Sequence, residues 1–381
     1  MNVKNPIRER LTNALLLNAS FIDNLGLMHG KMGIAIFFFH LARETKNSIY
    51  EDYAGELIDE IYEEITSTVP IDFENGLVGI GWGIEYLVQN GFIDADTDEV
   101  LEEFDNRIFK KFIDQTPTEL NLLNGLIGIG AYFLKRIQNP QSNDENIQTL
   151  INKQTLIHLI DEFDQRTQDI SGLIAEPQAI SNNIKQDQTE ETTTNSLQTT
   201  GAKAPPHFDL LWDYSVLLWF LGELHQQNIF NFKVEKIIER LIAPLTNDTN
   251  LLKRHSSRLL LALALTKLHQ TIEPTKHSNC QTISNKFLSG ICRETILAEL
   301  PFNNATVRCG SSGIAWVYLQ LHLLSGDESY RQEFLYWQQK TNEYGFQDDN
   351  GFAGFSFENE ANAFGLLEGL AGVGLLDHAT K

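Results

Sequence analysis

Gly365-Leu-Leu-Glu-Gly-Leu-Ala-Gly-Val-Gly374 decides the fold of this chain, because its glycine spacing occurs more than once. Gly365, Gly369 and Gly372 stand as G-x3-G-x2-G, and Gly26, Gly30 and Gly33 repeat that spacing in Gly26-Leu-Met-His-Gly-Lys-Met-Gly33. Variants lie between them: Gly76-Leu-Val-Gly-Ile-Gly-Trp-Gly83, Gly125-Leu-Ile-Gly-Ile-Gly130, and Cys309-Gly-Ser-Ser-Gly-Ile-Ala315 with Gly310 and Gly313. Gly26, Gly76 and Gly125 recur at a period of about 50 residues, and self-similarity on that scale marks a repeat architecture.

Each glycine loop is followed by two kinds of apolar segment. Ile34-Ala-Ile-Phe-Phe-Phe-His-Leu41 is apolar on all sides and predicts a helix buried all round. Residues 51–66 carry Leu57, Ile58, Ile61 and Ile65 as a stripe among acids, the pattern of a surface helix. The pair repeats as runs 84–88 and 96–113, then 131–137 and 145–163, 210–224 and 234–242, 258–268 and 283–297, and 314–324 and 330–342. A seventh inner helix starts at Gly365, and its outer partner is expected to be the N-terminal helix 6–17, which would close a ring. The expected fold is all-α, an α/α toroid of about seven helical hairpins in a single domain over 1–381. The glycines are expected to supply positive φ and close backbone approach where inner helices crowd, leaving N–H groups of the helix starts directed into the space above. Nucleotide phosphate binding is excluded, since these loops follow helical patterns where the dinucleotide fingerprint needs a strand. Residues 165–206, polar and turn-prone, read as a mobile insertion.

With 42 % hydrophobic residues, the 381-residue chain can bury a large core. A net charge of −22 excludes gripping nucleic acid or an anionic membrane. Three cysteines, Cys280, Cys292 and Cys309, are too few for a disulfide framework, and no apolar run reaches the roughly 20 residues a bilayer span needs. A cytoplasmic location is expected.

The motifs Gly26-Leu-Met-His-Gly-Lys-Met-Gly-Ile-Ala35, Gly76-Leu-Val-Gly-Ile-Gly-Trp-Gly-Ile-Glu-Tyr86 and Gly365-Leu-Leu-Glu-Gly-Leu-Ala-Gly-Val-Gly374 resemble the lanthionine synthetase C family. The resemblance implies a seven-hairpin toroid that closes thioether rings in a dehydrated ribosomal precursor peptide, with a lantibiotic-type dehydratase as partner. It also implies zinc, held by a cysteine at the fifth inner-helix opening and a Cys-His-Gly at the sixth; separately, it implies a catalytic histidine at the fourth. This chain departs at each. The sixth opening is Val307-Arg-Cys-Gly-Ser-Ser-Gly-Ile-Ala315, which sets Arg308 and Cys309 where the family has its cysteine and histidine. The fifth is Lys253-Arg-His-Ser-Ser-Arg-Leu-Leu260, without cysteine or glycine, and the fourth, Asp209-Leu-Leu-Trp-Asp-Tyr-Ser215, lacks the histidine.

No cofactor is therefore expected. His255 and Cys309 are the remaining donors for a metal, and two are too few for a zinc site. His255, Cys309 and Arg308 are the candidates for catalysis. Arg254, Arg258 and Trp212 are candidates for substrate binding: with Arg308 the arginines would form a positive patch suited to an acidic group, unless they pair with carboxylates of neighbouring loops such as Asp348 and Asp349. His29 reads as structural. Two other functions stay open, a scaffold that kept the toroid and lost the chemistry, and a toroid glycosidase. The latter would need a carboxylate pair over a cleft from Glu74, Glu85, Glu358 and Glu360.

Overall fold

The computed structural model describes residues 6–140, 146–176, 208–247, 251–272, 279–301, 303–345, 353–355, 357 and 359–378. Most of the expected insertion (177–206) lies outside these, as do Asp348, Asp349 and Glu358. The described residues are helical, with no strand among them. Seven inner helices, Lys31–Thr45, Leu77–Gln89, Leu126–Ile137, Asp213–Gln226, His255–Thr271, Ser311–Ser325 and Leu370–His378, each contact the next, and the seventh contacts the first. Their outer partners are Ser48–Glu64, Glu102–Asp114, Ile147–Arg166, Asn231–Asn247, Cys280–Leu288, Glu328–Tyr344 and, for the seventh, Pro6–Asn18. Every outer helix touches its inner helix, so the N-terminal helix completes the ring as its apolar spacing predicts. The fifth outer helix is broken where Gly290 takes a left-handed φ of 74°, and a short second piece, Arg293–Glu299, follows.

The inner helices start earlier than their apolar runs, because the glycine motifs are themselves the first helical turns. Gly30, Gly76, Gly125 and Gly310 are N-caps in extended conformation, with φ between −109 and −122°. Positive φ is therefore not what these positions require. Close approach is: a Cβ on Gly26 would lie 2.2 Å from Asn75 Cα of the next loop. Within the helices, Gly83 takes the side chain of Met32 from the first inner helix, and Gly130 takes the ring of Phe220 from the fourth.

Nor are the N-terminal N–H groups left open. Five openings share one pattern, in which the first helical N–H donates to the carbonyl seven residues back: Lys31 to Asn24 (2.8 Å), Leu77 to Pro70 (2.9 Å), Leu126 to Glu119 (3.0 Å), Ser311 to Asn304 (3.0 Å) and Leu370 to Ala363 (2.8 Å). Burying a helix start without such partners would leave orphan donors. The openings are also tied to each other by their backbones. Phe73 N–H donates to Leu123 O (2.8 Å), Met28 to Glu74 O (2.9 Å), Leu366 to Met28 O (2.8 Å), Arg308 to Leu367 O (2.9 Å) and Leu210 to Arg308 O (2.8 Å). This chain of bonds runs through openings three, two, one, seven, six and four, and passes by the fifth. There the glycines are lost, and acidic side chains cap instead. Glu299 accepts from the N–H groups of His255 (2.9 Å) and Ser256 (2.8 Å), and Glu176 accepts from Arg254 N–H (2.8 Å).

Candidate functional site at the toroid mouth

The linked openings form a mouth at one end of the ring, with a lumen beneath it. Three loops each give the lumen an apolar residue and the mouth a neighbouring charged one: Leu210 beside Asp209, Val307 beside Arg308, and Leu367 beside Glu368. The Arg308 guanidinium lies between the two carboxylates, 3.3 Å from Asp209 and 3.1 Å from Glu368, and Asn362 donates to the other Glu368 oxygen (2.9 Å). Alongside, His29 Nε2 is 2.9 Å from Glu74 Oε1. His29 is 3 % exposed, and its Nδ1 is buried without a hydrogen-bond partner. The His29 hydrogen bond, helped by the Arg308 charge, holds Glu74 below the ordinary carboxylate range. Asp213, the first residue of the fourth inner helix, moves the other way. Burial, then the charges of Asp209 and Glu119, push it up to about 6, against the pull of Arg308.

Asp213 therefore has a testable signature. Its folded pKa lies above the roughly 3.9 of an unfolded aspartate, so its neutral form contributes stability below about pH 4 that is lost as pH rises through about 6. Asp213→Asn should accordingly be more stable than the parent above pH 6, with solvent screening holding the gain to about 1–2 kcal/mol. The two should converge below about pH 4. Urea midpoints measured from pH 4 to 8 check this, and a constant gap across that range would refute it.

The sequence candidates separate in space. Arg308 stands at the centre of the mouth. Cys309, half-buried beside it, takes the Thr306 hydroxyl oxygen on its N–H (3.3 Å). His255 accepts the Cys292 N–H on Nδ1 (2.9 Å) at the fifth opening. Arg258 donates to the Ser289 carbonyl (2.6 Å) past the end of the fifth outer helix, so it braces that hairpin. Trp212 is 6 % exposed, donates to Ala175 O (3.0 Å) and stacks on Tyr214. Arg254 precedes the fifth inner helix as its N-cap. The carboxylate partners of Arg308 are Asp209 and Glu368, which the sequence reading did not single out. The signal for Glu368 was present: aligned on the N-cap glycine, the preceding residues are His29, Asn75, Asn124, Cys309 and Glu368, all polar or reactive. Of the carboxylates weighed for glycosidase chemistry, Glu85 is fully buried against Arg136, Glu74 pairs with His29, and Glu360 is exposed.

The surroundings of the two remaining zinc donors, His255 and Cys309, are these. A guanidinium in the middle of the mouth repels a dication, and Nδ1 of His255 is already used. Among the described residues, no three His, Cys, Asp or Glu side chains gather as a metal-binding group.

The lumen is layered. Below the mouth, one cavity of about 310 Å³ lies against the fourth, fifth and sixth inner helices, lined by Val216, Trp219, Leu263 and Ala264 among others. A second, of about 430 Å³, lies against the first, second, sixth and seventh, lined by Ile36, Trp82, Tyr86 and Leu375. Val307, Trp316 and Leu366 line both. Polar groups are part of these surroundings: His40, which lines the second cavity, has its Nε2 2.8 Å from the Tyr86 hydroxyl, and Lys267 pairs with Glu223 at 2.8 Å while lying over the Trp219 ring.

Comparison with known proteins agrees with this architecture. Residues 22–202 match the family model described as lanthionine synthetase C-like protein. A solved structure titled nisin cyclase matches with a TM-score of 0.65 at 14 % sequence identity, covering 99 % of this chain and 93 % of that one. No curated protein matches the sequence. No helix among the described residues is long and apolar enough to cross a membrane.

Proposed function

We propose, from the match of residues 22–202 to the lanthionine synthetase C-like family model and from the fold shared with nisin cyclase, a protein of lanthipeptide biosynthesis that holds a dehydrated precursor peptide across the mouth without zinc–thiolate chemistry. One observation carries this reading. Arg308 stands where the resemblance expects a metal-binding cysteine, and two carboxylates hold it there. Among the described residues around Arg308, the carboxylates of Asp209, Glu368, Glu74 and Asp213 outnumber its guanidinium, and an excess of negative charge raises the pKa of an incoming thiol. Such a mouth disfavours the thiolate that ring closure needs and favours cationic or neutral peptide. The role that fits is to hold the peptide, in the cytoplasm, after a lantibiotic-type dehydratase has acted on it.

The test combines pure protein with dehydrated precursor peptide. Fluorescence anisotropy should show binding that is unchanged by a chelator, and titration of free thiols should show no loss beyond the buffer control. Zinc-dependent consumption of thiols would overturn the proposal and restore the cyclase reading.

A further inference from the structure

The apolar residues left half-buried in this fold include a group that faces inward. Val216, Trp219, Trp316, Leu210 and Leu366 retain partial exposure, and all of them line the 310 Å³ cavity against the fourth to sixth inner helices. Apolar surface kept open to water at the centre of a ring forgoes about 25 cal/mol per Å² of the stabilisation that burial would give. A concave, aromatic-walled cavity of this size, with few convergent polar groups, is the usual form of a binding site. We infer that this cavity is a chamber for one uncharged apolar group, the size of a leucine to an indole side chain, presented by a peptide lying on the mouth.

Two observations fix the occupant. The volume is too small for a helix or for a second copy of the chain, and it suits one side chain. The rim is charged where the wall is apolar: Asp209, Arg308 and Glu368 each adjoin a lining residue, so a bound chain can keep its polar backbone against the charges while one side chain descends. Trp219 and Trp316, with ring centroids 6.3 Å apart, form one wall, and Leu263 and Ala264 the other. That the occupant belongs to a peptide rests on the function proposed above; the chamber itself does not.

N-Phenyl-1-naphthylamine tests the chamber directly, since it is uncharged, brightens in apolar surroundings and accepts excitation from tryptophan. The full chain should show one saturable, tryptophan-sensitised site. Val216→Trp, which fills the chamber from a half-buried position, should weaken probe binding at least about tenfold. Ala264→Phe should do the same from the opposite wall and stands in if the first variant loses its circular dichroism signal. Leu375→Phe, in the other cavity, should change affinity by less than about twofold. Absence of a saturable site would overturn the inference. So would folded Val216→Trp and Ala264→Phe proteins that bind like the parent, or loss of the site in Leu375→Phe. Precursor peptide should displace the probe. A probe that binds while the peptide does not would leave the chamber standing and refute the peptide-holding role.

Discussion

Arg136→Met should cost the protein about 3–5 kcal/mol, the largest loss expected from any single side chain described here. Arg136 is 1 % exposed near the end of the third inner helix. Its guanidinium reaches Glu85 (2.5 Å), Asp105 (2.8 Å) and Asp98 (3.0 Å) and also donates to the Thr97 hydroxyl (3.1 Å). Glu85 and Asp105 have no exposed side-chain surface, so removing the one cation between them strands two buried carboxylates. Gln89, Asn139 and Tyr132 donate to the same two carboxylates and would remain, but neutral donors cannot balance two charges. Adding Glu85→Gln and Asp105→Asn to Arg136→Met should recover much of the loss, because replacing a whole buried ion group is far less damaging than breaking it. Urea unfolding followed by circular dichroism measures both, and a loss under about 1 kcal/mol for the single variant would refute the argument.

Gly365→Ala is expected to cost about 3 kcal/mol and to damage the mouth as well. A Cβ at this position would stand 2.5 Å from Met28 O and 2.6 Å from His29 Cα, both backbone atoms, so no side chain can swing aside. Opening seven would be forced off opening one, and the bonds from Leu366 and Leu367 N–H to Met28 O would lengthen. His29, and through it Glu74, would shift with that loop. The control runs in the opposite direction. Gly55 lies inside the first outer helix with nothing within 4 Å of an added Cβ, so Gly55→Ala should raise stability by about 0.8–1 kcal/mol. Equal and small effects at both positions would mean that glycine in the mouth motifs reflects composition and not loop-to-loop approach.

The architecture was legible because it is written locally and repeated. Gly30, Gly76, Gly125, Gly310 and Gly369 mark the helix starts, and the stripes on residues 51–66 and 96–113 separate outer from inner helices. The physical reason for the glycines was only half legible. Crowding was read correctly, but left-handed φ was not needed, since extended backbone also brings the loops together. What the sequence could not show are pairings across long separations. Arg308 finds Asp209 and Glu368 on two other openings, and Glu299 caps a helix that starts at His255. Arg136 sits inside an apolar run, where one basic residue reads as the polar end of a helix until Glu85 and Asp105 are seen beside it. Charges like these are selected by the three-dimensional meeting of loops and leave no periodic trace.

The N-terminal helix that backs the seventh inner helix has a consequence for how the protein is made. Ribosomes deliver Ile7, Leu11 and Leu15 long before the helix at 370–378, which forms part of the surface that covers them. At about 5–20 residues per second, the greasy side of that opening segment stays unclaimed for tens of seconds. The nascent bracelet has its clasp in two segments far apart in sequence, so a chaperone that shields the helix at 6–18 during translation would be protecting half of the fastening.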